Sequence, residues 1–307
     1  MNETGKLEPS LQQLAGLIRR HAPADGLYST AVPALTLRHA TKASEPLESV
    51  QQPSICIVAQ GAKTTTLADD IYRYDPSTYL VVSVELPMIG RIVEASPEVP
   101  YLALKLSFDT DVVLDIVKEM EEPQRPERAE ASRGIAVNPL SPALLQAVVR
   151  LLELLDTPED IPVLSPLVIR EILYRVLQGE QGALVRQFAR IGSHAQRIAK
   201  AIQQINREYD SPLAVDQLAE SVHMSTSAFH KHFKRVTSLS PLQYQKTVRL
   251  QEARRFMLTE GMLAADAAFR VGYESPSQFS REYARMYGRS PMLDIRELRE
   301  TIAEAHR

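Results

Sequence analysis

Lys231, Lys234, Arg235, Lys246, Arg249, Arg254 and Arg255 fall within 25 residues that hold one acid, Glu252. Such dense positive charge is chemistry for a polyanion. A cation that meets a phosphate releases a condensed counterion, and an arginine can also grip a guanine edge with two donors. Ser193 to Arg307 carries 17 Lys+Arg against 13 Asp+Glu, and the rest of the chain carries 18 against 25. Only the back half therefore suits a polyanion. His223, His230 and His232 lie in the same region, but His230 and His232 are two apart and point to different faces of a helix, so no metal is expected there. Cys56 is the single cysteine, which excludes a disulfide within the chain and a cysteine-based zinc finger. It alternates with Ile55 and Ile57 on an expected core strand, which favours a small buried hydrophobe over a redox or electrophile sensor. Between Ala22 and Ser193 the only histidine is His39. A metal-dependent barrel enzyme needs two or three histidines plus a carboxylate, so that alternative lacks its ligands. The expectation is a binding protein, not an enzyme, with no metal and no cofactor.

The elements that must position these residues are legible from periodicity. At 307 residues the chain is expected to hold two domains. Residues 1 to about 25 predict an amphipathic helix with Leu11, Leu14, Leu17 and Ile18 on one face. Residues 27–107 hold short β-branched runs around Leu35–Leu37, Ser54–Val58, Lys63–Leu67, Tyr79–Val84 and Tyr101–Leu106, a pattern of a sandwich or barrel. Tyr72, Tyr74, Tyr79 and Tyr101 are candidates to line an effector pocket inside it, although strand aromatics are more often plain core. Helical stripes follow from Asp109, interrupted by the Pro- and charge-rich stretch Glu121–Ser132. The helix of residues 141–155, with Leu144, Leu145, Val148, Leu151 and Leu152, is expected to pack on two sides and to supply either a dimer interface or an internal contact. No apolar run spans a membrane and no secretory leader is evident, so the cytoplasm is the expected compartment.

The back half contains an internal repeat. At a constant offset of fifty, Leu213/Leu263, Ala214/Ala264, Asp216/Asp266, Ser225/Ser275, Ser227/Ser277, Phe229/Phe279, Arg235/Arg285, Ser240/Ser290 and Pro241/Pro291 are identical. Each copy predicts a short helix, a tight turn and a longer helix. Ser225 and Ser275 are expected N-caps, with Pro276 at the first helical position and Gln278 closing a capping box. Phe229 and Phe233, like Phe279 and Tyr283, fall on one face and must be core. The other face carries hydroxyls, amides and cations, which suit major-groove readout. Pro241–Thr259 predicts a 19-residue connecting helix, roughly 28 Å long at about 1.5 Å per residue. That is close to the roughly 34 Å between successive major grooves on one DNA face.

Residues 194–296 resemble the DNA-binding domain of the AraC/XylS family of bacterial transcription regulators. The resemblance is carried by Leu218-Ala219, Met224-Ser225, Phe229, Phe233-Lys234-Arg235, Ser240-Pro241, Tyr244, Arg249-Leu250, Ala253, Val271-Gly272-Tyr273, Ser275, Gln278-Phe279-Ser280-Arg281 and Ser290-Pro291. Pro53–Gly61 and Tyr79–Ser83 resemble the cupin-like sensory domain of one AraC subgroup. The resemblance implies an α+β two-domain protein. Residues 1–190 would be a cupin-like β-barrel with flanking helices, for sensing and dimerisation. Residues 194–296 would be an all-α domain with two helix-turn-helix motifs on a long linker helix. It implies base contacts from Ser227, His230, Lys231, Ser277, Gln278, Ser280 and Arg281, and phosphate contacts from Lys234, Arg235, Lys246, Arg249 and Arg285. The implied partners are double-stranded DNA, RNA polymerase, a small-molecule effector and a second copy of the chain, in an activator. Two positions depart from the family pattern: Ser238 stands where a glycine is usual, and Ala268-Phe269 replaces the usual small pair.

Overall fold

The computed structural model describes residues 3–120, 133–179, 182–190 and 192–305, so the stretch Glu121–Ser132 lies outside the described residues. The chain forms two compact units, one of residues 1–199 with 235–238 and the other of residues 200–234 with 239–307. No helix among the described residues is long and apolar enough to cross a membrane.

The first unit opens with helix α1 (Glu3–His21). Nine strands follow: β1 (Gly26–Ser29), β2 (Leu35–Ala40), β3 (Leu47–Gln51), β4 (Ser54–Gln60), β5 (Ala62–Leu67), β6 (Asp70–Tyr74), β7 (Thr78–Val82), β8 (Leu86–Glu94) and β9 (Tyr101–Ser107). Helix α2 (Thr110–Glu119), strand β10 (Ile135–Pro139) and helices α3 (Pro142–Glu153), α4 (Ile161–Gln178) and α5 (Gly182–Ala189) complete it. All strand pairs are antiparallel. They form a six-stranded sheet, β1-β2-β9-β4-β7-β10, and a four-stranded sheet, β3-β8-β5-β6. The expected cupin-like architecture is thus two sheets, not one closed hydrogen-bonded ring.

Alternation along the strands separates two environments. Leu35, Leu37, Ile55, Ile57, Tyr79, Val81, Leu102 and Leu104 leave the six-stranded sheet on one face and join a core with α1, α3, α4 and α5. Thr36, Arg38, Cys56, Leu80, Ala103 and Lys105 occupy the other face by register. One sequence expectation changes here, at Tyr79, and one choice left open, at α3, is decided. Tyr79 belongs to the helix-side core, where burial pushes its phenol up to about 12, so it does not share a pocket with Tyr74 and Tyr101. Helix α3 is internal: Leu144, Leu145, Val148, Leu151 and Leu152 are all 1% exposed or less, and α3 packs on α1 and α4. Its apolar excess is consumed within one chain, so α3 itself offers no surface for a dimer.

The second unit contains most of α6 (His194–Arg207), α7 (Val215–Ser221), most of α8 (Thr226–Thr237), α9 (Pro241–Thr259), α10 (Ala264–Arg270), α11 (Pro276–Tyr287) and α12 (Pro291–Ala305). Two aromatic cores hang on α9. Phe229 and Phe233 of α8 lie 5.5 Å apart between ring centres, and Phe233 meets Tyr244 of α9 edge-on at 5.6 Å. Phe279 and Tyr283 of α11 pack with Ala267, Ala268 and Val271 against Leu250, Ala253, Phe256 and Met257 of α9. Helix α12 was not foreseen, although its Ile295 closes this second core.

Ser238, the departure from glycine, has φ 61, and Gly288 at the equivalent place has φ 76. A side chain in the left-handed region costs roughly 1–2 kcal/mol. Ser238→Gly is therefore expected to stabilise the protein by about 1 kcal/mol, allowing for the extra freedom glycine gains when unfolded. Thermal denaturation should read this as a rise of about 2–4 °C.

Candidate nucleic-acid interface

Each helix-turn-helix is fixed by the same local chemistry. Ser225 accepts from the Ala228 amide (3.4 Å), and Thr226 Oγ1 donates to Asp216 Oδ1 of α7 (2.8 Å). In the second copy Ser275 caps α11 by accepting from the Gln278 amide (3.4 Å), with Pro276 at the first helical position. The turns close alike. Met224 N donates to Ala219 O in the first, and Tyr273 N to Ala268 O in the second. His223 and Gly272 take the left-handed conformation at the corresponding place.

These bonds correct the repeat. The longer helices align at fifty residues, but Ala219/Ala268, Met224/Tyr273 and His223/Gly272 align at forty-nine. The second turn holds one extra residue before its cap. The identities Leu213/Leu263, Ala214/Ala264 and Asp216/Asp266 are therefore not structural equivalents. The buried pair matching Leu218-Ala219 is Ala267-Ala268, and Phe269 is 56% exposed. The apparent departure at Ala268-Phe269 was a shift of one residue. The expected capping box at Gln278 is also absent, because its amide turns along the helix to Glu282 Oε1 (3.4 Å). A complete box opens α9 instead, where Ser240 and Gln243 cap each other's backbone.

With Phe229, Phe233, Phe279 and Tyr283 fully buried, the opposite faces are fixed. On α8, Ser227, His230, Lys231, Lys234 and Arg235 are exposed. On α11, Ser277, Gln278, Arg281 and Arg285 are exposed and Ser280 is half-buried. Ser277 and Arg281 are one helical turn apart on one face. Arg281 makes no hydrogen bond or ion pair with a described residue. Its neighbour Glu282 is instead held by the Tyr273 hydroxyl (3.0 Å) and by Gln278. Burial and that bond push the Tyr273 phenol up.

The basic cluster divides once folded. Arg249 is not available to a phosphate. Its Nε donates to Tyr209 O (2.5 Å), Nη1 to Gly272 O (2.9 Å) and Nη2 to Ser211 O (2.8 Å). Burial holds this guanidinium below its ordinary pKa. Arg249 thus joins the loop before α7 to the turn before α11, and Gln245 adds a bond to Ser211 O (2.7 Å). Arg254 is 13% exposed and grips Asp294 of α12 with two bonds, 2.8 and 2.9 Å, while Tyr283 donates to the same carboxylate at 2.6 Å. Arg255 pairs with Glu252 (2.7 Å), and Lys246 leans toward Glu282 (4.0 Å) beside a polar pocket of about 330 Å³. Sequence reasoning missed the Arg254–Asp294–Tyr283 cluster because its partners are separated by 40 and 11 residues.

Two family models match. An AraC-type transcriptional regulator N-terminus covers residues 31–184, and a helix-turn-helix domain covers residues 218–294. The chain is similar to the lactose operon transcription activator of Staphylococcus xylosus, 25% identical over 124 residues, which is 40% of this chain and 44% of that one. It is similar to the virulence regulon transcriptional activator VirF of Yersinia enterocolitica, 27% identical over 153 residues, 50% and 56% of the two chains. The chain thus spans about half the length of the curated relatives it matches. The fold is shared with ToxT of Vibrio cholerae at a TM-score of 0.55 and 9% identity, over 85% of this chain and 98% of that one. One model takes the sheet-bearing half and the other the two capped, aromatic-backed motifs, and on both grounds the chain belongs to the AraC-type transcriptional regulators.

Proposed function

We propose that the protein is a sequence-specific, double-stranded DNA-binding transcriptional activator whose first unit, residues 1–190, binds a small-molecule effector, and whose residues 194–296 read the operator. One observation carries the reading: two capped helices, each with a buried aromatic face and an exposed face of hydroxyls, amides and cations, are mounted on a single helix α9. Base readout falls to Ser227, His230 and Lys231 of α8 and to Ser277, Gln278, Ser280 and Arg281 of α11. Phosphate contact falls to Lys234, Arg235 and Arg285, with Lys246 at the margin and Arg249 removed from the set. The protein acts on RNA polymerase, in the cytoplasm, as a homodimer. With α3 internal, Val163, Leu164 and Leu167 on the outer face of α4, 68%, 39% and 62% exposed, are the surface for that contact. Catalysis is not part of this reading. His39 turns to the helix side and lies 2.7 Å from Ala22 O, so it does not enter the space between the sheets where a barrel enzyme holds its metal.

The test is a gel shift on duplex selected by the wild-type protein from a random pool, with scrambled duplex beside it. Arg281→Ala is expected to lose about 1–3 kcal/mol on the selected DNA and little on the scrambled one. Lys234→Ala is expected to weaken both alike and to lower the salt slope by about one unit. Equal losses on the two duplexes with Arg281→Ala defeat the base-reading assignment. Affinity that stays flat from about 50 to 200 mM salt defeats the DNA reading itself.

A further inference from the structure

The space between the two sheets carries an unusual charge distribution. Arg38 of β2, Lys105 of β9 and Cys56 of β4 stand on the face of the six-stranded sheet opposite the helix core. Thr36 and Cys56 flank Lys105 directly, and Arg38 lies one step along the strand. Lys63, Thr65 and Tyr74 stand together on the inner face of the four-stranded sheet. A Cβ on Gly90 would sit 3.0 Å from Cε and 3.2 Å from Nζ of Lys63, so the bare glycine lets this side chain lie across β8. The surroundings are apolar and aromatic: Tyr74, Leu80, Met88, Ile92 and Tyr101 are buried. Arg38, Cys56, Lys63 and Lys105 are only partly buried among them.

Three cations therefore converge without an anion. None of Arg38, Lys63 and Lys105 forms an ion pair with a described residue. The acids of the neighbouring strands β6 and β8, Asp70 and Glu94, are already held by Arg133 and Arg73, each at 2.6 Å. The hydroxyl of Thr36 is buried with no partner. Burial holds the Lys63 ammonium below its ordinary pKa, and the charges of Arg38 and Lys105 act in the same direction. Cations drawn partly out of water repel one another when no anion pairs with them, and a chain that keeps three of them beside an unused buried hydroxyl is arranged for a bound negative group.

We propose that this inter-sheet space is the effector site and that its ligand is a small organic carboxylic acid. Arg38, Lys63, Lys105 and Thr36 take the carboxylate, and Tyr74, Leu80 and Tyr101 take the apolar body. This rests on the effector reading above and adds the ligand class and the residues. Arg38 supplies a planar fork that matches two carboxylate oxygens, and the lysines supply point charges around it.

The experiment is calorimetric titration of the full-length protein with straight-chain carboxylates of four to twelve carbons. The matching primary amides and inorganic phosphate serve as separate arms. At least one carboxylate is expected to bind ten-fold or more tightly than its amide, and Arg38→Gln and Lys63→Met should each weaken it at least ten-fold. Carboxylates that bind no better than their amides, or phosphate alone binding, overturn the proposal. A second readout keeps it testable if binding is weak. In anion-free buffer Lys63→Met should raise the melting temperature, because it removes a repelled charge. A fall would mean that Lys63 holds the fold together and would also overturn the proposal. Selected-duplex affinity measured in parallel separates the outcomes. Intact DNA binding without a carboxylate response sinks this proposal and leaves the regulator reading standing.

Discussion

Asp294→Ala is expected to cost the protein about 3–5 kcal/mol, the usual penalty for stripping one partner from a buried ion pair. Asp294 is 3% exposed and receives three bonds, two from Arg254 and one from Tyr283. Without it the Arg254 guanidinium loses its carboxylate while it stays under the protein surface, over the face of Tyr287 at 4.4 Å from the ring centre. Burial and the bond to Asp294 push the Tyr283 phenol far up, so that hydroxyl stays protonated and also loses its acceptor. Three elements, α9, α11 and α12, share the loss, and α11 should loosen first. Denaturant unfolding checks the magnitude. Asp294→Asn should recover part of it by accepting from Tyr283. A loss below 1 kcal/mol would mean that α12 merely rests on the second core.

Gly272→Ala is expected to cost about 2–5 kcal/mol, from left-handed strain and overpacking together. At φ 85 any side chain is strained. A Cβ there would also stand 1.8 Å from the Asp210 carbonyl oxygen, a backbone atom that cannot swing away as a side chain could. Relief requires moving the loop before α7, which Arg249 holds by two carbonyls. Arg249→Ala should make Gly272→Ala less costly, because the loop is then freer to retreat. Additive losses in the double variant would show that the two act independently.

Some of this fold was legible because its signals are local. The N-caps, the 19-residue α9 and the buried faces of α8 and α11 follow from spacing within one or two turns. Strands β4, β5, β7 and β9 show themselves through runs of β-branched and apolar residues. Strands β1, β3, β6, β8 and β10 escaped because they are short, mixed in character or broken by residues such as Pro87 and Gly90. The seven-cation cluster was visible, but its division was not. Whether an arginine meets solvent or a distant carbonyl depends on partners 23 to 40 residues away, as at Arg249. The one-residue shift of the repeat was hidden by chance identities, and only the turn hydrogen bonds expose it. The three inward cations of the sheets were unreadable for a related reason: strand alternation gives a side but not which side is the interior.

If α8 and α11 read DNA as proposed, the Arg249 bridge also bears on what kind of operator the protein tolerates. Inserting one base pair between two half-sites turns the second by roughly 35°, because a full turn takes about 10–10.5 base pairs. A protein with a hinge between its reading heads could swivel to follow. Here the loop ahead of the first head and the turn of the second are joined through one guanidinium, so the heads keep a fixed phase. The mismatch passes to the nucleic acid, which must twist or bend at a cost set by its own sequence. Spacing between half-sites thereby becomes part of the recognition code, enforced at bases the protein never touches.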